Sequence, residues 1–401
     1  MLTLDPIQTL AAGGVCLLAG YAVRRRLPRL ARFNIPASVI GGLLVALALL
    51  ACRHWDYAPV RFDTALERPL MIAFFTSIGF NASVSLLRIS GRQVALFLGL
   101  ATFLAVLQNL VGIGLAKAFG LPPLFGVVAG SATLAGGPAT GLAFAPLFEH
   151  AGVAAAQSIA LASAMGGIVI GSIVGAPLAT MLIERHQLAP NRSAASDAAS
   201  IAPAAVAARA AGTAESAHRE LKSLVLLLVA MGIGAWISAG LHALDLTMPS
   251  YIGAMLAGAA MRNIDDHLGW FGLSLPSIDR IGSVCLSLFL AVALMDLHLW
   301  ELAGVATPLL VNLGVQTLVV VAFCCWPLLR LMGRDYDAAV MTGGFAGFML
   351  GITANAIAVM DALTERFGPA PRAFLVAPLV GAFLIDFTNA IVITCFVNGW
   401  T

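Results

Sequence analysis

Twelve apolar runs set the limits on this chain, near 6–23, 35–52, 69–87, 93–119, 123–148 and 153–183, then 221–242, 249–261, 281–298, 302–332, 338–362 and 373–398. Most approach the ~20 residues that a helix needs to cross a ~30 Å hydrocarbon core. Such lengths suit helices, which satisfy their own backbone hydrogen bonds in lipid, and not the ~10-residue alternation of an outer-membrane barrel. Composition agrees, since 60% of the residues are hydrophobic, 10% are charged and mean hydropathy is +0.94, far from an ordinary soluble domain. The sequence therefore predicts an all-α polytopic membrane protein. Arg24, Arg25, Arg26, Arg29 and Arg32 follow the first run, the reverse of a signal peptide's charge order, so this run stays as a span.

One run cannot be a continuous helix. Ala129 to Ala145 reads AGSATLAGGPATGLAFA, with Gly136, Gly137, Pro138, Ala139, Thr140 and Gly141 at its centre. Proline removes a backbone donor and clashes with the preceding turn, and each glycine weakens a helix by ~1 kcal/mol relative to alanine. Broken backbone at membrane depth is tolerated only where protein or a water-filled cavity satisfies it, so the break is a candidate binding site.

The same plan occurs twice. Pro36 and Pro249, Gly120 and Gly333, Gly130 and Gly343, and Thr140 and Thr353 are each 213 residues apart, and six apolar runs make up each half. This spacing predicts an internal duplication, with first unit 1–184, linker 185–220 and second unit 221–401. The linker is dominated by Ala and Ser and reads as flexible, able to form helix transiently. Five spans per unit, with runs 123–148 and 338–362 re-entrant and the N-terminus outside, place eighteen Lys and Arg on the cytoplasmic side. Only Arg53, Arg61, Arg68 and Lys117 remain outside, as the positive-inside rule favours. An odd number of spans inverts the second unit relative to the first. Leu124 to Ala135 extends ~18 Å at 1.5 Å per residue, a little over half the core, which suits a half-helix.

The second unit repeats the break in GGFAGFMLGITANAIAVM, Gly343 to Met360, near Leu350, Gly351, Ile352, Thr353 and Ala354. A helix that starts at mid-membrane offers free N–H groups and a positive dipole end, which bind carboxylates without a basic side chain. Thr140, Thr353 and Asn355 add side-chain hydrogen bonds. Packing of small residues is the alternative role for the glycines; two equivalent breaks favour the site. Asp386 lies near the centre of the last run, with Asn389 one turn later on the same face. An ionisable residue at that depth costs at least ~2.5 kcal/mol and marks a functional site by default, so cation coordination or proton carriage is weighed against a structural hydrogen bond. Gln108, Asn109, Asn312 and Gln316 read as interhelical amide glue. Asn81 and Asp361 lie nearer run ends, and Glu149, His150, Asp296, His298 and Glu301 read as solvated loop edges. The six cysteines lack metal-type spacing and read as buried small hydrophobes. HExxH and Gly-x-Ser-x-Gly are absent, which leaves intramembrane enzymology without support. A passive channel would not need inverted halves. With a net charge of +2, nothing points to nucleic acid; Arg24–Arg32 is a topogenic cluster first and a membrane-lipid contact second.

GSATLAGGPATGLAF (Gly130–Phe144), LGITANAIAVM (Leu350–Met360) and PLVGAFLIDFTNA (Pro378–Ala390) resemble the bacterial sodium/glutamate symporter family, along nearly the whole chain. The resemblance implies two inverted five-span halves with re-entrant hairpins, and sodium-coupled uptake of L-glutamate across the bacterial inner membrane, with both termini periplasmic. It also implies a homodimer and an elevator-like movement of a core carrying both hairpins. Carried onto this sequence, it implies a substrate site at Gly136, Gly137, Pro138, Ala139, Thr140, Gly351, Thr353 and Asn355, and sodium at Asp386 and Asn389. Pro138 departs from the smaller or more polar residue of the family pattern. A carrier of another acidic amino acid, or of citrate-like di- or tricarboxylates on a similar fold, is the nearest alternative.

Overall fold

A computed structural model describes residues 2–27, 33–54, 60–189, 213–243, 248–249 and 251–400. Arg29, Arg32 and positions 190–212 of the expected linker lie outside these residues. The first half runs α1 (Pro6–Arg26), α2 (Ala37–His54), α3 (Glu67–Phe80) and α4 (Val84–Ala118, kinked at Gly91). A short α5 (Phe125–Val127) follows, running into a π-helical turn, Val128–Ala132, and then α6 (Gly137–His150) and α7 (Ala156–Arg185). The second half runs α8 (Thr213–His242), α9 (Tyr251–Leu268), α10 (Leu275–Met295) and α11 (Ala306–Phe323), which continues through a π turn into α12 (Leu329–Leu331). It ends with α13 (Tyr336–Met349), α14 (Thr353–Phe367), α15 (Pro371–Leu379), a π turn at Val380–Leu384 and α16 (Ile385–Trp400). A parallel pairing of β1 (Leu2–Thr3) with β2 (Val60–Arg61) ties the start of the chain to the α2–α3 connection.

The element order therefore repeats: three helices, a long helix, a helix–break–helix hairpin, a closing helix. Gly120 and Gly333, predicted as equivalents, both take positive φ just past the ends of α4 and α12. Two differences from the sequence reading stand out. The linker gives way to helix at Thr213 and not near 221, because TAESAHRELK is rich in strong helix formers. The last run carries a π turn, Val380–Leu384, within a helix otherwise continuous from Pro371 to Trp400.

Six stretches among the described residues are long and apolar enough to cross a membrane: Pro6–Arg26, Gly91–Ala118, Ala156–Arg185, His218–Leu241, Leu275–Met295 and Ala306–Leu331. The chain is a multi-pass membrane protein, and its surface fits that setting. Along α8, Leu221, Leu224, Val225, Leu228, Val229, Ile233 and Trp236 are all exposed, a patch that water would penalise and lipid accepts. Basic residues Arg24, Arg25 and Arg26 close the last turn of α1, where they complement the helix dipole.

The helices pack as two groups. α1, α2, α3, α8, α9 and α10 form a panel, while α4, α7, α11, α15 and α16 surround the two hairpins. Entry of the second hairpin into its bundle depends on α7. A Cβ at Gly167 would lie 2.3 Å from Leu350 O; one at Gly171 would lie 3.0 Å from Gly347 O, and one at Gly175 the same distance from Gly343 O. Spaced four apart, the three glycines make one bare stripe on the helix, and the hairpin backbone lies directly on it.

Replacement of Gly167 by leucine should therefore overpack this seam and cost about 1–3 kcal/mol, read as a lower apparent Tm of the detergent-solubilised protein. Gly114, on α4, has nothing within 4 Å of an added Cβ, and Gly114→Leu should leave Tm within about 1 °C. Equal tolerance of both changes would contradict this packing.

Candidate functional site

Each hairpin ends one helix and starts another inside the protein. In the first, Gly130 sits at φ −105°, ψ −127° within the π turn, and the chain turns again at Ala135–Gly136 before α6 begins at Gly137 with φ +67°. That backbone conformation favours glycine. A Cβ at Gly137 would also sit 3.0 Å from Ile352 Cγ2, so the tips of the two hairpins touch. In the second, α13 ends at Met349 and α14 starts at Thr353 after an extended Ile352.

Neither α6 nor α14 has a side-chain cap at its N-terminus. The first-turn N–H groups of Gly137 and Ala139, and of Thr353 and Ala354, therefore have no partner within their own helices. Pro138 finds its explanation here. It occupies the first turn of α6, where the missing N–H would be an orphan in any case and the fixed φ favours the helix. Its cost is one donor fewer at the tip.

Between the tips lies a cavity of ≈ 260 Å³, lined by Gly136, Pro138, Ala139, Gly351, Thr353 and Asp386 among others, with Gly381 from the π turn of the last helix beside them. Pro36, Phe74, Ile78, Leu286 and Leu290 of the panel close its far side. The cavity thus sits at the seam between the two groups of helices. It is mostly apolar, with one carboxylate, one threonine and two helix N-termini, the composition of a site for a small polar ligand. Among the described residues, no basic side chain lines it.

Six of the ten residues singled out by sequence meet at this cavity. The other four do different work. Gly137 forms the contact between tips, and Thr140 is buried inside α6: that helix starts at Gly137, three residues before Thr140, because Pro138 can join its first turn. Asn355 is fully buried and donates from Nδ2 to Ile168 O at 2.9 Å; it faces a separate cavity of ≈ 660 Å³ with Asn34 and Ser172. Asn389 points away from the tips, donating from Nδ2 to Ser131 O at 2.9 Å.

Three of the four amides read as glue have a specific target, namely the broken backbone of the hairpins. Adjacent residues on α4 hold one hairpin each: Gln108 Nε2 donates to Met349 O at 3.0 Å, and Asn109 Oδ1 accepts from Ser131 N at 2.9 Å. From α11, Asn312 donates to Ala129 O at 2.6 Å and Gln316 to Gln108 O at 2.7 Å. Thr353 Oγ1 donates to Gly381 O, tying the second tip to the π turn of the last helix. Ser131 and Gly381 were not singled out by sequence, and Gly130 only as a landmark of the repeat; a lone Gly or Gly-Ser pair in an apolar run carries no signal beyond close packing. Asp361 is exposed, Asn81 pairs with Asp279 at 2.7 Å, and Asp296 is half-buried where a solvated edge was expected.

The family model described as "Sodium/glutamate symporter" matches residues 2–369. A protein of Escherichia coli (strain K12) named sodium/glutamate symporter is 40% identical over 397 residues, which cover 99% of this chain and 98% of that protein. One of the same name in Haemophilus influenzae is 39% identical over 389 residues, 97% and 96% of the two chains.

Asn109→Leu should leave the Ser131 N–H buried without an acceptor, at a cost of about 1–3 kcal/mol. Differential scanning fluorimetry of the purified protein should register it as a Tm lowered by several degrees. An unchanged Tm would mean that this amide does not support the break.

Proposed function

The chain belongs to the sodium/glutamate symporter family, and from that premise we propose that it carries L-glutamate into the cell in symport with Na+, through the cavity between its hairpin tips. One observation carries this reading: two uncapped helix N-termini and a single carboxylate, Asp386, line the same small cavity. The N-termini are the anion-binding elements, and they hold substrate carboxylates by backbone N–H groups and dipole. Asp386 has the sign of the substrate. In a low-dielectric site two such charges repel strongly, so glutamate and a bare Asp386 exclude each other until a cation neutralises the carboxylate. That requirement is the physical content of coupling and calls for Na+ beside Asp386; in this reading Asn389 Oδ1, whose Nδ2 is spent on Ser131 O, is its second ligand.

The substrate residues in this reading are Gly136, Gly137, Pro138, Ala139, Thr140, Gly351, Thr353 and Asn355, with the cavity-lining members in contact and the others shaping the tips. Units 1–184 and 221–401 are inverted repeats of five spans, each with a re-entrant hairpin, 123–148 and 338–362. Both termini lie on the periplasmic side of the inner membrane. Arm length supports re-entry, since α6, α13 and α14 have 14 or 15 residues and reach only ~21–23 Å, short of a ~30 Å core. Transport proceeds as an elevator-like movement of the hairpin bundle against the panel within a homodimer. The position of the cavity at the seam between the two groups supports this, because a shift along that seam changes which side the cavity faces.

Uptake of radiolabelled glutamate into proteoliposomes should require an inward Na+ gradient, compete with unlabelled aspartate or glutamate better than with citrate, and fall at least tenfold in Asp386→Asn. Preferential competition by citrate, uptake driven equally by a proton gradient, or indifference to the substitution would each overturn the assignment.

A further inference from the structure

A second hollow adjoins the tip cavity along the seam. It has a volume of ≈ 550 Å³ and lies between α3 and α10 of the panel and α15 of the bundle. Phe74 and Ile78 belong to the walls of both. The ≈ 660 Å³ cavity at Asn355, by contrast, shares no described lining residue with the tip cavity.

Three helices carry the walls from one hollow into the other. On α10, Asp279 and Ser283 line the outer hollow, while Leu286 and Leu290 line the tip cavity; steps of three and four residues keep all four on one face. On α3 the order is Asn81 and Ser77, then Ile78 and Phe74. On the last helix it is Leu375 and Pro378, then Gly381 of the π turn and Asp386. The panel wall of the outer hollow is thus polar, and Phe74 and Ile78, one turn apart on α3, put an apolar constriction between it and the tips. Asn81 closes α3, and Asp279 stands near the start of α10. Arg88, Arg92, Arg262 and Arg280 flank these ends in sequence, which marks this side as cytoplasmic by the positive-inside rule. Across the constriction the bundle is fastened through backbone: Thr353 Oγ1 donates to Gly381 O, and Gln108 Nε2 to Met349 O at 3.0 Å. The movable part is on the panel.

We propose that the outer hollow is the cytoplasmic vestibule through which the carried carboxylate leaves the tip cavity, and that Phe74 and Ile78 are the throat between them. This rests on the symport reading and adds a route and a gate to it. An apolar constriction stops ions because passage would strip their water, and it does so without placing a charge near the site. Rotamer change of the two side chains, or a shift of α3 along the seam, opens it. Asp279 is exposed and accepts from Asn81 Nδ2 at 2.7 Å. Among the described residues no basic side chain lines the vestibule, so Asp279 gives it a negative mouth.

The test is thiol accessibility from the two sides of the membrane. Ser283→Cys puts a reporter in the vestibule, and Leu286→Cys puts one about 4.5 Å deeper, beyond the throat. Labelling is counted above that of the unsubstituted protein, which has six cysteines of its own. In inside-out vesicles, a membrane-impermeant cationic methanethiosulfonate should modify position 283 at least about tenfold faster than position 286. Adding Phe74→Ala or Ile78→Ala should bring the deeper position within about threefold of the outer one. The rate at position 283 should stay unchanged, which guards against a fold defect. With each reagent scaled to its rate on a free thiol, the cationic one should outpace an anionic one at position 283 by roughly three- to tenfold, owing to the charge one turn away. Asp279→Asn should erase that difference. A bulky adduct at position 283 should cut glutamate uptake about fivefold or more, and a methyl adduct less than about twofold. Modification of position 283 from the outer side only, equal rates at the two positions with the throat intact, or a deeper position that both alanine variants leave unreachable would each overturn the proposal. The expected labelling in a protein that takes up no glutamate with Na+ would instead remove the symport reading alone.

Discussion

The backbone at Gly130–Ser131 and at Met349–Thr353 has left its helix in a place without bulk water, and the rest of the structure answers that fact. Each freed N–H or C=O must find a partner inside the protein. The partners are neutral amides, and the most economical arrangement is on α4, where Gln108 and Asn109 hold the two hairpins from consecutive positions. Neighbouring residues on a helix point about 100° apart, so α4 reaches the two hairpins from adjoining faces. The glycine stripe of α7 performs the complementary task by letting the second hairpin lie against bare backbone.

Much of this plan was legible in the sequence because it rests on residue types that few other structures need. Two glycines and a proline inside an apolar run announce a break, and the break is there. A lone aspartate in the last run announces a site, and Asp386 lines the cavity between the tips. Less legible were features that depend on direction. Asn389 shares a helical face with Asp386, yet its amide reaches Ser131 and leaves the cavity to the carboxylate. Asn355 lies two residues from Thr353 and faces a different cavity. Small spacings along a sequence fix neighbourhood but not orientation at the end of a flexible or broken helix.

The π turns at Val128–Ala132 and Val380–Leu384 were invisible for another reason. One extra residue in a helical turn changes neither composition nor hydropathy, and Val-Ala-Gly-Ser-Ala or Val-Gly-Ala-Phe-Leu would serve in any membrane helix. The consequences are nevertheless central. π turns recur at functional positions because they free a carbonyl from its helix, and here the carbonyl of Gly381 receives the Thr353 hydroxyl at the second tip. Proline was misleading in the opposite sense: Pro138 looked like an obstacle at the tip and proves to fit the first turn of α6.

The proposed recognition element, made of peptide groups, has a particular evolutionary character. No codon change removes an N–H from Gly137 or Thr353 except substitution by proline, and no single side-chain exchange at those positions reverses the sign of what the helix ends attract. Divergence of substrate within such an architecture has to work on the walls instead. Phe74, Ile78, Leu286 and Leu290 on the panel face the same cavity, belong to elements outside the hairpins and can vary in size without disturbing a tip. On the proposed reading, selectivity among small carboxylates is thereby separated from affinity for the carboxylate itself, and the two can drift at different speeds.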